Sequence, residues 1–191
     1  MAIINRIVSN DIIDDDFMIS DSNDQETIIC KSPDKVKQLV KALSEDKIIH
    51  FISKGDWSMH DLIIELLNNY YPAELYFTTY ALRELSVRQL LQALEKKRLL
   101  AVHILIDTKA RSRTPDVIQL AEMNLNRVYL TSIHAKVAIL KTADSIISIN
   151  GSANWTTNPR IEAGTISTNK SVGEFHINWM EKIMKDAQIF E

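Results

Sequence analysis

The sequence predicts an α/β fold in which a mixed, largely parallel β-sheet is flanked by helices on both faces. Two observations lead to this prediction. From residue 47 onward, short apolar runs rich in β-branched residues alternate with segments whose apolar residues recur at helical spacing. The apolar runs are also continuous rather than alternating, which is typical of strands that are buried on both faces of a parallel sheet.

Length and composition favour one main domain. The 191 residues are 46% hydrophobic, which is enough for one substantial core. We assign this domain to residues 31–191, after an acidic, partly ordered arm over residues 1–30. No apolar run approaches the ~20 residues of a membrane-spanning helix, so we expect no signal peptide, no anchor and no membrane partner. Cys30 is the only cysteine, which suits a reducing compartment and predicts a cytoplasmic protein.

The first half of the chain repeats a strand–loop–helix unit. A helix over residues 34–44 comes first, because Ser32 can cap it and Pro33 suits its first turn. Three apolar, β-rich runs then each precede a helix, and their order predicts the parallel part of the sheet. The strands are expected at 47–53, 74–80 and 99–107, and the helices around 62–67, 85–97 and 115–123.

The pattern changes after residue 126. Three strand-like runs follow one another with no room for helices between them, and Thr142-Ala143-Asp144 suits a hairpin turn. We therefore expect these strands to pair locally, at least partly antiparallel. A short strand and a closing helix follow, and the helix places Phe175, Trp179 and Ile183 on one stripe. The runs cover 127–132, 134–141 and 145–150, the short strand lies near 163–168, and the helix near 171–188.

Candidate catalytic groups concentrate in the second half. His134 and Lys136 are two apart on a predicted strand, so both side chains project from one face. The next strand delivers Gly151, Ser152 and Asn154 into a loop, where glycine permits close backbone approach and the hydroxyl and amide supply donors. These groups suit a phosphate: a neutral imidazole can attack phosphorus, while the ammonium and donors stabilise the developing charge. The pattern predicts no metal and no cofactor.

This order of residues resembles the signature of the phospholipase D superfamily, H-x-K-x4-D-x6-G-S-x-N. The chain has H-A-K-x7-D-x6-G-S-A-N from His134 to Asn154, with three extra residues before Asp144. Either Asp144 still fills the family's structural role or it is a turn residue. The continuation also resembles the family, in which a glutamate at the position of Glu162 helps to orient the histidine. We count Gly151 and Asn158 with Asp144 as structural residues of the site.

The resemblance implies a metal-independent phosphodiesterase that forms a phosphohistidine. In this superfamily two His-x-Lys motifs build one active site, but this chain has one such motif. A single copy resembles the family's small bacterial nucleases, which assemble the site across a twofold axis. We therefore expect a homodimer in which one His134 attacks phosphorus and its mate acts as general acid and then as base.

Further substrate contacts are expected beyond the carboxyl ends of the strands, where open α/β sheets bind ligands. This position predicts a rim of Tyr80, Lys109, Arg111 and Arg113. The three cations either contact a polyanionic backbone or are simply solvent-exposed. Trp155 either stacks on a base or packs beneath its loop.

The net charge leaves the substrate class open. Most proteins that bind nucleic acid carry a positive net charge, whereas this chain has a formal net charge of −3. A local basic patch is nevertheless sufficient for binding. We expect a nuclease acting on nucleic acid. The alternatives are a phospholipase D-type lipid hydrolase, for which the sequence shows no amphipathic surface, and a non-catalytic nucleic-acid-binding module with the same fold.

Overall fold

The computed structural model describes residues 17–21, 25–30, 33–53, 57–156 and 159–188, and side chains from residue 36 to residue 187 within these ranges. They form nine strands and six helices. The strands are β1 (Phe17–Asp21), β2 (Gln25–Cys30), β3 (Lys47–Ser53), β4 (Ala73–Thr79), β5 (Leu99–Asp107), β6 (Arg127–Thr131), β7 (Val137–Lys141), β8 (Ile146–Gly151) and β9 (Glu162–Ser167). The helices are α1 (Pro33–Lys41), α2 (Met59–Leu66), α3 (Glu84–Glu95), α4 (Lys109–Arg113), α5 (Pro115–Asn124) and α6 (Lys170–Gln188).

All nine described strands belong to one sheet, in the order β1-β2-β3-β9-β8-β7-β4-β5-β6. The pairings β2–β3, β4–β5 and β5–β6 are parallel, and the other described pairings are antiparallel. The mixed α/β sheet is therefore confirmed, but its largely parallel character is wrong. The physical reason is that the consecutive strands β7, β8 and β9 insert between β3 and β4, so the parallel units do not adjoin.

Helices cover both faces of the sheet, as predicted. Helices α1, α2, α3 and α5 pack on one face around the larger core, and α6 packs alone on the other around Met180 and Met184. Strand β5 shows how one segment serves both layers, because Val102 and Ile104 enter the larger core and Leu105 enters the smaller one. Phe175 is 63% exposed, so the predicted stripe on α6 is wrong at that residue.

Two further predictions differ from the structure. The predicted local antiparallel pairing is confirmed for β7 and β8, but β6 pairs with β5, and β7 has β4 as its other neighbour. The loop predicted before α5 contains the short helix α4. The first difference arises because the local sequence pattern does not determine which strands pair, and the second because a five-residue helix is too short to show a helical period.

The N-terminal arm contributes to the sheet. Strands β1 and β2 lie within residues 1–30, and both pair with β3. Residues 1–16 and 22–24 lie outside the described part of the chain. Among the described helices, none has the length and apolar character that crossing a membrane requires.

The strand directions create a single polar edge. Strands β3, β4, β5, β6 and β8 end at one edge of the sheet, and the antiparallel strands β7 and β9 begin there. We call this the upper edge; it carries Thr79, Asp107, Gly151, Val137 and Glu162 at those strand ends. The opposite, lower edge carries the Thr142–Ser145 turn between β7 and β8. Residues far apart in sequence thus meet at the upper edge.

Candidate active site

His134 and Lys136 lie side by side at the upper edge. Lys136 is 8% exposed, whereas His134 is exposed. The Lys136 Nζ lies 3.2 Å from both ring nitrogens of His134 and donates to the His134 carbonyl at 2.7 Å. Both residues precede β7, so their placement within a strand is wrong. The prediction that the two side chains lie together is confirmed, because the segment leads directly into β7.

Two neighbouring strands hold this segment in place. The Thr78 hydroxyl on β4 donates to the Ala135 carbonyl at 2.8 Å and accepts from the Val137 N–H at 3.1 Å. From β8, the Gly151 N–H donates to the Lys136 carbonyl at 3.1 Å. Hydrogen bonds from both sides therefore hold the backbone of this segment, and with it the position of Lys136, before any substrate arrives.

Asp107 is a site residue that sequence reasoning missed. It is buried at the end of β5, where one carboxylate oxygen accepts from the Lys109 N–H at 2.9 Å and the other accepts from the Ile133 N–H at 3.2 Å. This carboxylate thus ties the start of α4 to the segment that carries His134. The available signal was an acidic residue closing the apolar run LLAVHILID at the carboxyl end of a strand.

The Lys136 ammonium is partly desolvated. Burial lowers the pKa of its ammonium, while the negative charges of Glu162 and Asp107 raise it, and the net effect is a lowered pKa. A cation with few water neighbours interacts strongly with an incoming anion. The site therefore suits an anionic ligand.

Ser152 and Glu162 join the site from β8 and β9. The Ser152 hydroxyl donates to Glu162 Oε2 and accepts from the Ala163 N–H at 3.1 Å. Gly151 lies where β8 and β9 approach closely, since a Cβ there would be 3.1 Å from the Ala163 carbonyl oxygen. These contacts hold the Glu162 carboxylate against the Ser152 hydroxyl. The negative charge of Glu162 is close enough to raise the pKa of Lys136.

Asn154 binds the end of β4 through its side-chain oxygen. Its Oδ1 accepts from the Tyr80 N–H at 3.2 Å and from the Thr79 hydroxyl at 3.4 Å. An amide whose oxygen is used in this way offers its NH₂ group as a donor. Asn154 therefore suits the role of a neutral donor to a phosphate oxygen.

Trp155 packs beneath the loop. It is 1% exposed and stacks on Phe77 with ring centroids 3.8 Å apart. The hydroxyl of Ser86 donates to its carbonyl at 3.1 Å. A base cannot reach this ring, so the expectation that Trp155 stacks on substrate is wrong and the packing alternative holds.

Tyr80 and Arg113 reach the site, unlike Arg111. The half-buried Tyr80 ring lies 5.4 Å from the His134 ring in an edge-on arrangement. The Arg113 Cζ lies 4.9 Å from the centroid of the Tyr80 ring. Arg111 pairs with Glu122 and lines a cavity of about 470 Å³ beside β6 and α6. Lys109 is exposed, and its backbone N–H donates to the Asp107 carboxylate.

Asp144 lies far from this cluster. It is exposed in the lower-edge turn, where its N–H donates to the Thr142 hydroxyl at 3.3 Å. At ~3.3 Å per residue, the length of β7 separates it from Lys136 by about 16 Å. The structure thus supports the turn-residue alternative. Asn158 lies outside the described residues.

Sequence comparisons identify no family: no family model and no curated protein matches this chain. By structure, the chain is similar to a polyphosphate kinase from Porphyromonas gingivalis, with a TM-score of 0.56 and 16% identity over 78% of this chain. The chain spans 29% of the length of that kinase. At this identity the likeness shows a shared fold. TrmBL2, an archaeal chromatin protein described with a novel mode of DNA binding, aligns with a TM-score of 0.44, at 10% identity, over 81% of this chain and 58% of its own.

Proposed function

We propose that this protein is a metal-independent phosphodiesterase of the phospholipase D superfamily that hydrolyses nucleic acid. The carrying observation is the buried Lys136 ammonium, 3.2 Å from both ring nitrogens of the exposed His134. Asn154 supplies a neutral donor from the adjoining loop, and the Ser152 hydroxyl supplies a second one when it turns from Glu162 to a bound phosphate. A nucleophile, a fixed cation and neutral donors are the groups that phosphoryl transfer requires.

The proposed reaction has two displacement steps. A neutral His134 nitrogen attacks phosphorus, a P–N bond forms, and the P–O bond to the leaving group breaks while a second imidazole donates a proton to the leaving oxygen. Water then attacks the phosphohistidine, gives its proton to that second imidazole, and the P–N bond breaks. Lys136, Ser152 and Asn154 stabilise the non-bridging oxygens throughout.

The second imidazole belongs to another copy of the chain in this proposal. A twofold axis beside His134 brings the same residue of each subunit together, so one sequence supplies both the nucleophile and the acid. Glu162 then orients His134 in the complete site. The upper edge is open to such a contact because His134, Ala135 and Ser152 are exposed.

Two further features support phosphate chemistry. The name polyphosphate kinase describes an enzyme that transfers phosphoryl groups, so the shared fold is compatible with a reaction at phosphorus. Arg113 and Lys109 on α4 add positive charge beside the site, which favours a polyanion over a single lipid head group.

The test measures turnover of nucleic acid, phosphatidylcholine vesicles and a chromogenic phosphodiester, all in EDTA. We expect turnover of nucleic acid that falls at least 10³-fold in His134→Ala, which removes the nucleophile. His176→Ala on α6 is the matched control and keeps full activity. Acid-quenched protein should carry phosphorus on His134. Turnover of lipid alone, or nucleic-acid binding without any His134-dependent turnover, contradicts the proposal.

A further inference from the structure

A planar aromatic–cation pair stands next to the proposed nucleophile. The Tyr80 ring lies 5.4 Å from the His134 ring, and the Arg113 guanidinium carbon lies 4.9 Å from the Tyr80 centroid. The Lys136 ammonium is 5.9 Å from the same centroid. We call Tyr80 and Arg113 the stacking pair. Its neighbours are therefore the two groups that would hold and attack a phosphate.

Contacts of the phosphate site itself fix the stacking pair. The Tyr80 N–H donates to Asn154 Oδ1 at 3.2 Å, and the preceding residue, Thr79, is fully buried. Arg113 closes α4, whose first N–H is held by the buried Asp107 carboxylate. The backbone that carries both planar groups is thus positioned before substrate binds, which reduces the entropy lost on stacking.

We infer that the stacking pair binds an unpaired base next to the scissile phosphate, so that the substrate is single-stranded nucleic acid. This inference rests on the proposed function. A nucleotide's base lies one sugar away from its phosphate, and the Tyr80 ring lies 5.4 Å from the ring of His134, the proposed nucleophile. Tyrosine rings and guanidinium planes both stack on bases without regard to sequence.

The single-strand preference follows from which face of a base is accessible. In a duplex both faces of an internal base are covered by its neighbours, so a half-buried ring beside the phosphate site cannot reach them. In a single strand the base can turn onto Tyr80 or onto the guanidinium above it. Trp155 cannot provide this surface because it is buried against Phe77.

The chain contains a matched control for this pair. On the lower edge, Arg98 lies over the exposed ring of Tyr71 at 5.7 Å. Tyr71→Leu removes an aromatic–cation pair of the same chemistry from a place that has no proposed phosphate site. This variant therefore measures the effect of losing an aromatic–cation pair that lies away from the candidate site.

The experiment measures fluorescence anisotropy of three labelled oligomers in EDTA: a short DNA single strand, the corresponding duplex, and a strand of abasic sites. We expect Tyr80→Leu to weaken binding of the single strand on the order of 10-fold, the size of one base–aromatic contact. Tyr80→Phe and Tyr71→Leu should leave it unchanged. Arg113→Lys should weaken it because charge remains but the plane is lost.

Two results overturn the inference: equal weakening of base-containing and abasic strands by Tyr80→Leu, or duplex binding as tight as single-strand binding. Unchanged circular dichroism and Tm exclude misfolding of a variant. Hydrolysis of methyl p-nitrophenyl phosphate by the same proteins tests the proposed function separately. If Tyr80→Leu acts on binding while no His134-dependent hydrolysis occurs, stacking stands and the phosphodiesterase proposal fails.

Discussion

Asp107 links two parts of the candidate site through its side chain. Its two carboxylate oxygens accept from backbone N–H groups of α4 and of the segment before His134. Its charge also raises the pKa of Lys136 against the lowering effect of burial. One buried side chain therefore positions the segment that carries His134 and helps to keep the Lys136 ammonium protonated.

We predict that Asp107→Asn lowers kcat about 10-fold or more, since the amide cannot accept both hydrogen bonds, and destabilises the fold by about 1–3 kcal/mol. Loss of the negative charge also lowers the pKa of Lys136 further. The alkaline limb of the kcat/KM profile should therefore move to lower pH, as measured with the chromogenic diester. Asp116→Asn on the exposed start of α5 is the control. A uniform loss of activity with an unmoved alkaline limb contradicts this account.

His103 makes the stability of the fold depend on pH. Burial lowers its pKa, and the nearby Arg127 lowers it further, whereas Glu181 and Glu74 raise it. A histidine with a lowered pKa in the folded state binds protons more readily in the unfolded state. Its contribution to stability is therefore complete above the unfolded pKa of about 6.5 and is lost as the pH falls through the folded pKa.

We predict that His103→Phe reduces this acid sensitivity. The ring can keep its place against Tyr76, whose centroid lies 4.4 Å away, and the unpaired Nδ1 is removed. Urea unfolding between pH 5 and 8 should show a smaller loss of stability in the variant, with parallel curves above about pH 7. An unchanged slope below pH 6.5 would show that other groups account for the acid effect.

At the level of elements, helix α6 packs closely against the start of β8. A Cβ on Gly173 would be 2.1 Å from Ile146 Cγ2, so α6 approaches the sheet where glycine leaves room. We predict that Gly173→Ala costs about 1–3 kcal/mol in unfolding free energy through overpacking, despite the better helix propensity of alanine. Thermal and urea unfolding measure this cost.

Two variants provide the comparison for this prediction. Asn178→Ala lies on the exposed side of α6 and should be neutral or slightly stabilising. Ile146→Ala removes the Cγ2 that the new methyl group meets, so its loss of stability and that of Gly173→Ala should combine to less than their sum in the double variant. Ile146→Val keeps Cγ2 and should show no such coupling. A Gly173→Ala chain as stable as Asn178→Ala would show that the sheet accommodates the methyl group.

The sequence predicted elements better than it predicted their neighbours. Strands β3 and β5 match the predicted ranges because their apolar runs are long and bounded by polar residues. The insertion of β7, β8 and β9 between β3 and β4 was not predictable, since pairing of distant strands leaves no local periodicity. His134, Lys136 and Ser152 were predicted from their short spacing in the chain, and Glu162 from the resemblance to the phospholipase D superfamily. Tyr80 and Arg113 were predicted as rim residues, and they meet because the consecutive strands β4 and β5 pair. Asp107 was missed because its proximity to Lys136 depends on the distant pairing of β4 with β7.

At the scale of the whole molecule, the proposal requires two chains. We predict a mass in solution of twice the 21.8 kDa chain. Purified heterodimers of one unaltered chain and one His134→Ala chain should be nearly inactive, because each shared site then lacks one imidazole. Heterodimers with His176→Ala should be fully active. Half activity in the first heterodimer would indicate independent sites, and a fully active monomer would remove the need for a partner.

The lower-edge turn at Thr142–Ser145 is remote from every group of the candidate site. A peptide tag or fluorophore inserted between Ala143 and Asp144 should leave turnover intact while marking the side of the sheet that faces away from substrate. Labelled in this way, two populations of the protein could be mixed and the exchange of their subunits followed by energy transfer during catalysis.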